Sequence, residues 1–97
     1  MIIRLVKMEF SNDQRNKFEN LFNERKEKIE GQEGCHSVRL FNDLKDNNVY
    51  FTYSVWDSEN HLNQYRHSEF FKDTWAKTKS LFNEKPKAWS VVETKFA

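Results

Sequence analysis

A single cysteine, a single proline and two glycines in 97 residues leave little of the chemistry that staples, kinks or loosens a chain. Cys35 alone closes no intramolecular disulfide and builds no multi-cysteine zinc site, which agrees with a reducing compartment. Gly31 and Gly34 are too few for a phosphate-cradling loop, and paired carboxylates, metal-ligand spacing, repeats and low-complexity linkers are all missing. No apolar run approaches the roughly 18 residues of a membrane span, so no membrane partner is expected. Residues 1–4 enter a strand-like alternation without the basic start and long apolar stretch of a secretory signal, so a cytoplasmic location is expected. A formal charge of +1 supplies no general attraction to phosphate, and no nucleic acid partner is expected. What is abundant is aromatic surface, 15% of residues with nine Phe and three Trp. Hydrophobic residues at 37% and charged residues at 32% describe one folded domain over residues 1–97. A chain this short buries only about 60–68% of its unfolded surface, so its core is thin and a partner subunit is expected.

Residues 2–10 alternate Ile2, Arg4, Val6, Met8 and Phe10 against Ile3, Leu5, Lys7 and Glu9, the period of a strand. Ser11 followed by Gln14 fits a capping box and predicts a helix start. Phe18, Leu21, Phe22, Arg25 and Ile29 then recur at helical spacing, and residues 31–34 (Gly-Gln-Glu-Gly) end the helix. Alternation returns over residues 35–42, with Val38 and Leu40 opposite Arg39 and Phe41. Turn formers then lead into the β-branched and aromatic run 49–56, giving a hairpin. Asp57 and Ser58 cap a short helix carrying His61, Leu62 and Tyr65. Ser68 and Glu69 cap another with Phe70, Phe71, Thr74, Trp75, Thr78, Leu81 and Phe82 on its inner side. Pro86 stops helical continuation, and residues 88–96 alternate as a last strand. The order β-α-β-β-α-β predicts an α+β, ferredoxin-like sandwich with a four-stranded antiparallel sheet and helices on one face. The other face is left as a large apolar patch, and a second copy packing sheet to sheet covers it, so a homodimer through the sheet face is expected.

Residues 51–71, FTYSVWDSENHLNQYRHSEFF, hold a strand ending in Trp56, a capping Ser58, Leu62 four residues later, Tyr65 one turn further, and Ser68 opening the next helix. In these places the chain resembles the antibiotic biosynthesis monooxygenase (ABM) family of dimeric α+β barrels. The likeness extends to length, element order, Gly34 before the second strand and the closing strand of residues 89–93. It implies an oxygenase that needs no cofactor and acts on an aromatic, quinol or polyketide-like small molecule, which is deprotonated to an anion that itself reduces oxygen. The chain also departs from the family. Oxygenase members often carry His where Tyr65 and Phe70 stand here. The haem-degrading branch has a Trp in the place of Tyr65, a haem-ligating His in the place of Trp75, and a pocket Asn on its first strand, where this chain offers Arg4, Lys7 or Glu9. Without the axial imidazole, haem degradation is not expected.

The chemistry so implied asks for a base, a donor or cation for the anion, and an apolar cavity. His67 and His61 are the candidate bases, histidine being the side chain best suited to take and give a proton near neutral pH. His67 lies about 200° around a helix from Tyr65, so both face one pocket only if the helix breaks near Ser68. Arg39 is a candidate contact for a phenolate, Tyr53 and Tyr65 are candidate donors, and Trp56, Phe71 and Trp75 are candidate walls. Each has an ordinary alternative: a solvent-facing histidine, an ion-paired arginine, an aromatic that simply fills the core. His36 reads as a surface residue, and Cys35 has no His-Asp set in its segment. The competing functional reading is a non-catalytic, ligand-binding or structural dimer of the same fold.

Overall fold

Four strands form one antiparallel sheet in the computed structural model, which describes residues 1–95: β1 (Ile2–Glu9), β2 (Cys35–Asn42), β3 (Val49–Trp56) and β4 (Lys87–Val91). Their order across the sheet is β2-β3-β1-β4, so the long β1 and β3 are central. Helix α1 (Arg15–Glu30) connects β1 to β2, while α2 (Glu59–Arg66) and α3 (Glu69–Lys79) connect β3 to β4. This is the expected ferredoxin-like arrangement, and the second helical stretch is broken at His67 and Ser68.

Residues directly opposite in antiparallel strands point to the same side of a sheet, so the register sorts side chains into rows. Ser90–Arg4–Ser54–Val38 and Ala88–Val6–Thr52–Leu40 run across the face covered by helices. Val91–Ile3–Val55–Ser37 and Trp89–Leu5–Tyr53–Arg39 run across the other face. That outer face has no cover: Phe41, Trp89 and Val91 remain 47, 45 and 39% exposed. Between sheet and helices the core gathers Met8, Phe10, Phe18, Phe22, Ile29, Val38 and Tyr50. Phe10 and Phe18 stack with ring centroids 4.3 Å apart, and Tyr50 meets Phe18 edge-on at 5.1 Å.

Two helix starts form as their sequences dictate. Ser58 Oγ accepts from the backbone N–H of His61, and Ser68 Oγ accepts from that of Phe71. The capping box expected at Ser11 does not form. The Ser11 hydroxyl donates to Asp13 Oδ1 at 2.6 Å instead, and Asn12–Gln14 adopt a single 3-10 turn before α1 begins. The third-residue N–H that the cap would have used, that of Gln14, donates instead to the Ser11 backbone carbonyl at 3.0 Å within that turn. The last strand is shorter than its alternation predicts, ending at Val91; Phe96 lies outside the described residues. Among the described residues, no helix is long and apolar enough to cross a membrane.

Candidate functional site

A cavity of about 340 Å³ lies between the inner sheet face and the helices. This is near the lower end of the roughly 300–1,000 Å³ usual for small-molecule sites. Val6, Thr52 and Ser54 form its floor, and Tyr65, Phe71 and Trp75 form an aromatic wall. The wall is built by the break between α2 and α3. Ser68 caps α3 and its hydroxyl donates back to the Tyr65 carbonyl at 2.6 Å, turning the chain so that Tyr65 on one helix and Phe71 on the next meet edge to face, centroids 5.0 Å apart. Phe71 stacks on Trp75 at 6.0 Å, and Trp56, fully buried, stacks on the outer side of Tyr65 at 5.0 Å. Trp56 thus braces the wall from behind, with its indole N–H donating to Ser54 Oγ.

The polar groups on the cavity wall are strongly biased in sign. Arg4, Arg25 and Arg66 border it, and among the described residues no Asp, Glu or His does; Lys87 lies at its edge, but its register opposite Lys7 puts it in an outer-face row. Arg25 is neutralised in place. Its Nη1 donates to Asp73 Oδ2 at 2.9 Å and Thr74 Oγ1 at 2.8 Å, which pins α3 onto α1. The hydrogen bond from Arg25, seconded by Lys77, holds the Asp73 carboxyl below the usual carboxylate range. Arg4 and Arg66 have no carboxylate partner among the described residues. Burial, and then the neighbouring charge of Arg66, push the Arg4 guanidinium below its ordinary pKa. Burial, and then Cys35, push the Tyr65 phenol well above its ordinary value, so Tyr65 stays protonated and acts as a donor. Its hydroxyl makes no hydrogen bond among the described residues.

Of the residues singled out from sequence, Tyr65, Phe71 and Trp75 come together around the cavity and Trp56 supports them. The other four do not reach it. Arg39 and Tyr53 project from the outer sheet face, where Tyr53 packs edge-on against Phe41, because the register places them in the row opposite to Arg4 and Ser54. His67 caps the end of α2, exposed, with Nδ1 on the Asn63 carbonyl at 2.7 Å. His61 is turned toward the α1–β2 turn, its Nδ1 2.7 Å from Ser58 Oγ and its ring against Gly34. His36 pairs with Asp57 at the surface, 2.5 Å apart. Sequence reasoning missed Arg4, Arg66, Thr52 and Ser54 as wall residues. The available signal was Arg4 itself, a cation set in the otherwise apolar face of residues 2–10. Among the described residues no cluster of three or more His, Cys, Asp or Glu is placed to hold a metal ion.

The family model for antibiotic biosynthesis monooxygenase matches residues 1–77. No curated protein matches the sequence. Among solved structures, a conserved protein from Methanosarcina mazei Go1 superposes with a TM-score of 0.89 at 20% identity, covering 97% of this chain and 94% of that one. A candidate antibiotic biosynthesis monooxygenase from Deinococcus radiodurans gives 0.89 at 14% identity over 100% and 96% of the two chains. A protein of unknown function from Bacteroides thetaiotaomicron, described as a possible oxidoreductase, gives 0.82 at 19% identity over 93% and 95%. At these identities the likeness is one of fold. The family match covers most of the chain, aromatic wall included, and the chain belongs to the antibiotic biosynthesis monooxygenase family.

Proposed function

We propose that this protein is a monooxygenase that oxidises a flat, electron-rich aromatic molecule of the quinol, anthrone or polyketide type in the cavity beneath its helices, working as a cytoplasmic homodimer without a metal or flavin. The observation that carries the reading is the aromatic wall of Tyr65, Phe71 and Trp75 facing a cavity of small-molecule size. For an anthrone-like substrate the reaction balances without a co-reductant. The substrate methylene loses two hydrogens and becomes a carbonyl, one oxygen atom enters the product, the other leaves as water, and all four electrons come from the substrate. Since no imidazole or carboxylate among the described residues borders the cavity, the substrate's first proton departs to water. The protein favours the resulting anion through the Tyr65 hydroxyl and the excess of cations on the wall.

Oxygen uptake with a panel of quinols and anthrones tests this directly. Tyr65→Phe is expected to lower kcat/KM by about a hundredfold, the scale for loss of one oxyanion donor. His67→Ala is expected to leave kcat/KM within about threefold, because its ring is exposed at the end of α2 and does not border the cavity. No uptake above background across the panel would defeat the proposal. The wall's lack of a base favours a second reading, a non-catalytic binder. A compound that raises the melting temperature without consuming oxygen would select it.

The dimer has its own test. Ile3, Leu5, Phe51, Tyr53, Val55 and Trp89 share the uncovered sheet face, and a second copy laid against it is the simplest cover. Sedimentation at micromolar concentration should give twice the 11.8 kDa chain mass, and Leu5→Asp should halve it. A wild-type monomer under those conditions would refute the dimer.

A further inference from the structure

The cavity is apolar along one side and carries uncompensated positive charge at its rim. Arg4 enters from the central strand β1, half-buried, and is steadied by a hydrogen bond from Nη1 to Ser90 Oγ at 3.0 Å. Arg66 comes from the last turn of α2, one residue after Tyr65, and is exposed. Both border the same cavity, and neither has a carboxylate partner among the described residues. Arg25, on the same wall, shows how this chain treats a cation that serves packing: it is given Asp73 at 2.9 Å, Glu24 at 3.4 Å and Thr74. A pair of guanidiniums kept close without an acid is a standing repulsion, and an anion between them relieves it. Burial raises the value of that relief for Arg4, whose water is partly stripped away.

Taking the cavity as the substrate site, as in the preceding reading, we infer that it selects a planar aromatic acid: a carboxylate seated between Arg4 and Arg66, with its ring system laid against Tyr65, Phe71 and Trp75. The guanidinium fork matches a carboxylate's two oxygens, so two forks fix the orientation of the acid as well as its charge. With the acid held at the rim, the ring is directed inward, past the Tyr65 hydroxyl. Arg4 and Arg66 then set specificity by substrate charge, a role separate from any part in oxygen chemistry.

Calorimetric titration under nitrogen separates binding from turnover. The probes are 2-naphthoate and its neutral isostere 2-naphthamide. Naphthoate should bind at one site per chain, about tenfold or more tighter than the amide, which is the lower end of what a charge-assisted hydrogen bond supplies. Arg66→Glu should erase that preference while leaving amide affinity within about threefold, since the amide gains little from the charge. Arg4→Met should do the same. If Arg4→Met fails to fold, Arg66→Glu, at an exposed position, still decides the matter. Equal affinity for the two probes, a preference that survives Arg66→Glu, or no binding of naphthoate would each overturn the inference. Oxygen uptake is read separately in air. A naphthoate preference with no uptake from any quinol keeps the acid site and removes the oxygenase, and uptake with no preference does the reverse.

Discussion

Gly34→Ala is expected to destabilise the fold by about 2–4 kcal/mol, of which about 1–2 belongs to the backbone and the rest to overpacking. Gly34 has φ of +82°, the left-handed region that an alanine enters at a cost. It also lies directly under the ring of His61, and a Cβ built there would stand 2.3 Å from His61 Cγ. The two causes can be separated by a double-mutant cycle. In a His61→Ala background the overlap is gone, so the cost of Gly34→Ala should fall to about 1–2 kcal/mol, the backbone share alone. Urea unfolding of the four proteins measures this, and an equal cost in both backgrounds would refute the account of His61. The consequence reaches the cavity. Gly34 accepts the backbone N–H of Asp57 at 2.8 Å, and His61 sits at the start of α2, so this close approach fixes the helix that presents Tyr65 and Arg66. His61 is a positioning residue whose ring holds one end of the cavity wall in place.

Phe10→Ala should cost about 3–5 kcal/mol, the usual range for deleting a fully buried phenylalanine ring. Phe10 is 0% exposed, just past β1, and its ring touches three aromatic neighbours: Phe18 at 4.3 Å, Phe82 at 5.5 Å and Tyr50 at 5.7 Å. Small domains have about 5–15 kcal/mol of stability in all, so this loss brings the protein near its threshold. At roughly 4–8 °C per kcal/mol for a domain of this size, the melting temperature should fall by about 12 °C or more. Phe82 links the deletion to the site, because it also meets Trp75 edge-on at 5.5 Å. Losing Phe10 therefore loosens the wall from behind, and ligand affinity should weaken even where the variant remains folded. A shift under about 1 kcal/mol would mean that the cluster repacks around the gap.

Much of the fold was legible because its signals are local. Alternation over residues 35–42 and 49–56 gave β2 and β3 with their observed bounds, and the stripe of Phe18, Phe22, Arg25 and Ile29 is the buried side of α1. Ser58 and Ser68 cap the helices they precede, since an N-cap needs only its own next three residues. Ser11 shows the limit of such reading: the Gln14 N–H that its hydroxyl would have capped goes to the Ser11 carbonyl, because the chain makes a 3-10 turn there.

The candidate site was half legible, and the division has one cause. Sequence alone placed Phe71 and Trp75 on the inner side of their helix, because helical periodicity around a buried stripe fixes which side is inside. It also determined that each strand has two unlike faces. Which of those faces meets the helices was decided only in three dimensions. Arg39 and Tyr53 were singled out where Arg4 and Ser54 were not, yet register sends the first pair to the open side and the second to the cavity floor. A period of two records that neighbours point opposite ways without saying which way is in, and that choice belongs to the crossing of α1, α2 and α3 over the sheet.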